Sequence, residues 1–259
     1  MTNRFRRVTT SVLAISAVLI PATAVSGAVA TSTSAGTRLQ TRGLSSQDST
    51  NWSGYEETGG KYTEVTGYWT VPAAGKTTIA TYSCTWVGIG ETKHFLVQVG
   101  TESDYHDGAP HYYAWWEMLP ANQSRIPTRI IKVSPGDHIV ADVAGSNPPV
   151  VWEIQIADRT TGQSYEWYQD YGTGAPGSAV EWIQEATTIG AKIATLAHYG
   201  EVTFTGLSAN WLNPKLKASD EVFLATKPGT IISTPSAPSP KGDAFSVKYG
   251  SKAPRAPTG

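Results

Sequence analysis

Apolar and polar residues alternate along this chain with a period of two, and a helical period is nowhere sustained. From Val150 to Ala157, Val150, Trp152, Ile154 and Ile156 fall on one face and Val151, Glu153, Gln155 and Ala157 on the other, which predicts a strand with one buried and one wetter face. Asp243 to Tyr249 repeats the pattern, with Phe245, Val247 and Tyr249 opposite Ala244, Ser246 and Lys248, and is the expected last strand. Turn chemistry separates such runs at Ser134 to Asp137, Asp158 to Gly162 and Gly206 to Ser208. The prolines of Thr234 to Pro240 mark a further loop, and Ser103 to Pro110 reads as another. About a dozen strands with hairpin-length connections and hardly any helix can bury their apolar faces only in a closed or two-layer arrangement. The expected fold is all-β, an antiparallel β-sandwich.

The first thirty residues break this pattern. Arg4, Arg6 and Arg7 precede an apolar stretch from Val12 to Ile20 and a small-residue site at Ala28-Val29-Ala30, which predicts an export signal cleaved after Ala30. Arg6-Arg7 also admits a twin-arginine route, although Val8, Thr9 and Thr10 follow it in place of a hydrophobic start. Pro21 and Thr23 interrupt the stretch, so it makes no convincing membrane anchor, and no later segment is continuously apolar for about 18 residues. Residues 31–50, rich in Ser, Thr and Gly, read as a flexible leader or short propeptide, 51–249 as one domain, and 250–259 as a frayed tail. The expected product is a secreted, extracellular monomer.

Charge and cysteine content narrow the classes of function. Loss of the leader removes three of the 20 Lys+Arg and no acid, so 17 basic side chains face 21 acidic ones and the formal charge moves from −1 to −4. That mildly acidic balance argues against nucleic acid as a partner. Cys84 has no second cysteine to pair with, so stability rests on packing. No base lies near it in sequence, and a small buried hydrophobe is its expected role.

Nine tryptophans and twelve tyrosines exceed what a scaffold needs, and several gather in His111 to Glu117. Alternation puts Tyr113, Trp115 and Glu117 on one face and Tyr112, Ala114, Trp116 and Met118 on the other, and the first set makes the better cleft wall. By the same test Gln98 projects with His94 and Leu96 from the less apolar side of its strand. Glu181 lies between Ala179 and Ile183, which suggests partial burial and a raised pKa. On residue type alone Gln98 is an ordinary strand amide and Glu181 a surface carboxylate.

Six segments change that reading: Asn51 to Gly54, Tyr62 to Pro72, Trp86 to Ile89, Gln98 to Gly100, Tyr112 to Glu117, and Val180-Glu181-Trp182-Ile183. In combination and in order they resemble the glutamic peptidases, or eqolisins, over Asn51 to Tyr249. The resemblance implies a secreted, pepstatin-insensitive acid peptidase, built as an antiparallel β-sandwich of two curved sheets that is concanavalin- or lectin-like, which acts on protein or peptide substrates without metal or cofactor. It carries the catalytic glutamine onto Gln98 and the catalytic glutamate onto Glu181. It also makes Trp52, Trp86, Glu102, Tyr113, Trp115 and Glu117 substrate-binding or supporting residues.

There are departures from the family pattern. Where the family often continues from W-V-G-I into Asp-Gly-Asp, this chain has Gly90-Glu91-Thr92, so a supporting aspartate is missing or replaced by Glu91. Glu102 stands for the acid that follows the Q-x-G segment, and Tyr113 replaces an aspartate in the aromatic run.

Two other classes fit the aromatic strands: a binding module without catalysis, and a glycosidase using Glu117 and Glu181. His106 and His111 with Asp104 and Asp107 invite a metal, but their spacing matches no strong signature and a solvated loop is the expectation.

Overall fold

The computed structural model describes residues 47–90, 95–171, 175–227 and 230–258. The expected export signal and most of the expected leader lie outside them. In chain order the strands are β1 (Asp48–Ser49), β2 (Trp52–Tyr62), β3 (Glu64–Thr70), β4 (Cys84–Gly90), β5 (Leu96–His106) and β6 (Ala109–Met118). Next come β7 (Ser124–Arg125), β8 (His138–Gly145), β9 (Val151–Asp158), β10 (Gln163–Asp170), β11 (Gly177–Glu185), β12 (Thr188–Ile189) and β13 (Lys192–Ile193). The series ends with β14 (Glu201–Ala209), β15 (Glu221–Lys227), β16 (Thr230–Pro235) and β17 (Phe245–Tyr249). One 3₁₀ turn, Ala218–Asp220, is the only helical element among the described residues.

The molecule is an antiparallel β-sandwich. One layer runs β10-β9-β8-β3-β14-β17-β16-β15, the other β2-β11-β4-β5-β6-β7, and β15 links them by pairing Glu221 and Val222 with Tyr55 and Gly54. Alternation along each strand decides what lies between the layers. Trp152, Ile154 and Ile156 of β9, with Ile139, Ala141 and Val143 of β8, are buried against Val87, Ile89, Val97, Val99 and Trp182 of the facing layer. Val150 is exposed, because it belongs to the turn before β9.

Two tryptophans tie the layers in register. Trp182 Nε1 on β11 donates to Thr66 O on β3 at 2.9 Å, and Trp69 Nε1 on β3 donates to Thr101 Oγ1 on β5 at 3.0 Å. Each of these buried N–H groups would otherwise be costly, so the bonds contribute positioning more than net energy. Burial of each large apolar side chain, Phe204 and Phe245 among them, contributes about 1.5–3 kcal/mol.

Three readings of turns and loops require correction, the first being Gly206 to Ser208, which lies within β14 at an irregularity of its pairing with β3. Ser103 to Pro110 is no loop: β5 runs through His106 and β6 begins at Ala109, so only Asp107 and Gly108 form the turn. Both have positive φ, at 52° and 78°, the backbone of a two-residue hairpin for which Asp-Gly is a preferred pair. Pro235 pairs with Val247 at the end of β16, so the proline-rich loop starts one residue later. No helix among the described residues is long and apolar enough to cross a membrane.

Candidate functional site

The layer containing β5 and β11 has a second face, turned away from the inter-layer core, and its residues are set by register. Glu117 on β6 lies opposite Gln98 on β5, Gln98 opposite Gly88 on β4, Gly88 opposite Glu181 on β11, and Glu181 opposite Glu56 on β2. Directly paired residues point to the same side, so these form one row across five strands. The next row is Trp115, Gly100, Trp86, Ile183 and Gly54, and the one beyond it Tyr113, Glu102, Cys84, Glu185 and Trp52. All eight site residues expected from the sequence therefore stand on one face. Alternation placed each on a face of its own strand, but strand order is what brings the faces together.

Gln98 and Glu181 are separated by a single strand, so their backbones are roughly 10 Å apart. The strand between them carries Gly88, and the space above it is taken by the Trp86 ring and the Leu96 side chain, which a methyl group there would meet at 2.9 and 3.1 Å. Further along β4, a methyl group on Gly90 would lie 3.1 Å from Glu181 Oε1. Glu91, the expected stand-in for the supporting aspartate, falls outside the described residues. The charge that acts on Glu181 comes instead from Glu56 across the strand pair.

The amide is held by a carboxyl. Gln98 Nε2 donates to Glu117 Oε2 at 2.5 Å. Gln98 Oε1, Glu181 Oε2 and Trp115 Nε1 are buried and have no hydrogen-bond partner among the described residues. Buried polar atoms are rarely left so, and three on one face mark a place for water or a polar ligand. Gln98 and Glu181 are only 2% and 3% exposed.

The aromatic rows are braced from below. Glu185 accepts from Trp86 Nε1 at 2.7 Å and from Asn51 Nδ2 at 2.9 Å, and the Trp52 and Trp86 rings meet edge to face at 5.1 Å. Glu102 accepts from Gln123 Nε2 and Thr187 Oγ1, each at 2.9 Å, and the Arg125 guanidinium lies 4.2 Å from the centre of the Tyr113 ring. Glu185 and Glu56 were missed by sequence reasoning. The alternation Ala179, Glu181, Ile183, Glu185 was available to find the first, whereas only strand pairing shows the second.

The carboxyls of this face hold their protons tightly. Burial, and after it the charge of Glu56, pushes Glu181 well above the usual carboxylate range. Burial and then repulsion from Glu185 push Glu117 up to about 8, against the opposing bond from Gln98. Burial raises Glu185 to about 7, moderated by its donors Trp86 and Asn51. On the other layer burial raises Asp142 to about 6. The Cys84 thiol is likewise pushed up, first by burial and then by Glu102 and Glu185, which makes it a poor nucleophile.

These shifts have one sign, and it fixes the direction of the pH dependence of stability. The folded chain binds these protons more tightly than the unfolded chain, so the stability they contribute is fully present below the unfolded pKa of about 4. It is lost as pH rises through the folded values. Thermal unfolding should therefore show the highest Tm near pH 4 and a progressive fall toward pH 8. A Tm that rose across that interval would contradict the assignment.

With this geometry in place, comparison with known proteins is informative. The model of the Peptidase A4 family matches residues 50–249. Aspergillopepsin-2 of Aspergillus niger is 28% identical over 238 residues, which cover 82% of each chain. A crystal structure of scytalido-glutamic peptidase with a transition state analog inhibitor superposes with a TM-score of 0.65 over 77% of this chain and 98% of that one, at 22% identity. Aspergilloglutamic peptidase from Aspergillus niger superposes with a TM-score of 0.52 over 65% of this chain and 99% of its own, at 26% identity.

Proposed function

The chain belongs to the Peptidase A4 family and is a glutamic-type peptidase, and from that premise we propose that it is an endopeptidase whose reacting pair is Gln98 and Glu181. The observation that carries this reading is the row itself. An amide and a buried carboxyl share one row, each paired with Gly88 on the strand between them, and each has an oxygen without a partner among the described residues.

Those two oxygens suit a water molecule held between Gln98 Oε1 and Glu181 Oε2. The water attacks the carbonyl carbon of the scissile bond and its proton passes to ionised Glu181, which acts as general base. The Gln98 amide has two N–H groups. Glu117 takes one and so fixes the orientation of the amide, leaving the other to donate to the oxyanion. Collapse of the tetrahedral intermediate breaks the C–N bond as Glu181 gives its proton to the leaving amine, and the carboxylate is restored. Trp86, Trp115 and Trp52 are buried and brace the site, while half-buried Tyr113 is placed to meet the peptide, with Glu102 supporting it from the β5 side.

The protonation states set the working range. Attack requires ionised Glu181, and the raised pKa of that group places the acid limb of activity above the ordinary glutamate range. On the alkaline side Glu117 ionises at about 8 and puts a negative charge beside the amide that must meet the oxyanion. Those two limits bracket a window that closes above about pH 8, and it is the likeness to the acid peptidases of the family that supports a range on the acid side of neutrality. Met1 to Ala30 reads as an export signal, which supports action outside the cell.

The test is hydrolysis of a denatured protein by the secreted form, from strongly acid to neutral pH, with and without pepstatin. The expected result is cleavage at internal bonds that pepstatin does not prevent. Absence of cleavage at every pH would move the assignment to a binding module on the same sandwich.

A further inference from the structure

The hairpin tip that joins β5 to β6 gathers side chains for which the peptidase reaction has no use. Register places His111 opposite Asp104, and the two-residue turn brings His106 diagonally beside it on the same face. The two imidazole rings stack with centroids 3.8 Å apart and planes within 5°. His106 Nδ1 lies 2.9 Å from Asp107 Oδ2, and one donor atom from each of His106, Asp107 and His111 lies within 4.8 Å of the other two. Ligands bonded to zinc at about 2.0–2.1 Å in a tetrahedron are separated by roughly 3.3 Å, so the donor atoms are near enough, and binding requires the two rings to leave their parallel stack and turn their lone pairs toward one point.

We propose that His106, Asp107 and His111 form a binding site for a divalent transition-metal ion, with Zn²⁺ as the type, which clasps β5 to β6 at the tip of the hairpin. Two imidazoles and one carboxylate are a donor set that suits zinc, nickel and copper and does not suit calcium or magnesium. Three protein donors leave the remaining position to water.

Several contacts organise the site in advance. The Asp107-Gly108 turn fixes the crossing of the chain, Tyr105 Oη donates to Gly108 O at 2.9 Å, and the Tyr82 ring stacks on His106 at 5.5 Å. His111 Nε2 lies 3.2 Å from His106 O. A carbonyl only accepts, so this nitrogen carries its proton and Nδ1 offers the lone pair. Such an outer bond is the usual way in which a metal-binding imidazole is oriented. Asp104, buried and opposite His111, supplies a further negative charge close to both rings.

Calorimetric titration of the full secreted chain with Zn²⁺ at neutral pH tests the site independently of peptidase activity. One equivalent should bind. His106→Ala and His111→Ala should each weaken it at least tenfold to a hundredfold, Asp107→Asn should weaken it less, and His138→Ala, on β8 of the other layer, should leave it unchanged. All four positions are accessible to substitution without opening the core, and matched thermal unfolding of the metal-free variants separates lost ligands from lost fold. Absence of zinc binding, or binding that survives both His106→Ala and His111→Ala, would overturn the proposal.

Discussion

Glu181→Gln should lose peptidase activity by about 10⁴-fold or more while keeping the wild-type fold. A positioned general acid or base contributes about 10²–10⁴-fold, and Glu181 is assigned both transfers, accepting a proton from water and returning it to the amine. Gln preserves volume and hydrogen-bonding shape but titrates in neither direction. The same substitution carries a second, independent signature. Glu181 is buried and its proton is held well above the usual range, so its ionisation as pH rises costs the folded chain stability that glutamine does not lose. The variant should match the wild type in Tm near pH 4 and exceed it progressively toward neutrality. Activity retained by a folded Glu181→Gln chain would remove Glu181 from the mechanism, and a Tm difference independent of pH would mean that its ionisation is not coupled to folding.

Much of the fold and of the site was legible because strand alternation is a local property. The period of two assigned Trp152, Ile154 and Ile156 to a core face and put Tyr113, Trp115 and Glu117 together. It also placed Gln98 opposite to Val97 and Val99. The pairing partners were not legible, since strand order is decided by contacts between distant segments. Nothing local says that β4 lies between β5 and β11, so the place of Gly88 as the residue paired with both Gln98 and Glu181 emerges only from the register. The same holds for Glu56, whose effect on Glu181 comes from a partner about 125 residues away in sequence. The hairpin at Asp107 was misread for a different reason: Asp, Gly and Pro110 are turn formers by composition, yet two of them fill one tight turn and the proline opens the next strand.

Gln98→Ala should lower kcat by about 10²–10³-fold with little change in KM. Removal of a single oxyanion donor costs about 2.7–4 kcal/mol of barrier, and an interaction made only in the transition state appears in kcat. The amide also holds the attacking water, so the loss belongs at the upper end of that range. The structural cost is separable, because truncation strands Glu117 Oε2, now bonded at 2.5 Å, in a buried position. A lost partner of that kind costs about 1–3 kcal/mol of stability. Glu117 ionises only at about 8, so under acid conditions the group left behind is a neutral carboxyl and the cost falls at the low end. Urea unfolding at acid pH and above about pH 8 should resolve that difference, with the larger loss on the alkaline side. Combining Gln98→Ala with Glu181→Gln completes the argument, because two groups serving one water and one intermediate act as a unit and their losses do not add. The double variant should be hardly less active than Glu181→Gln alone. Fully multiplicative losses would show that the amide and the carboxyl act in separate steps, and the row across β5, β4 and β11 would then need a different account.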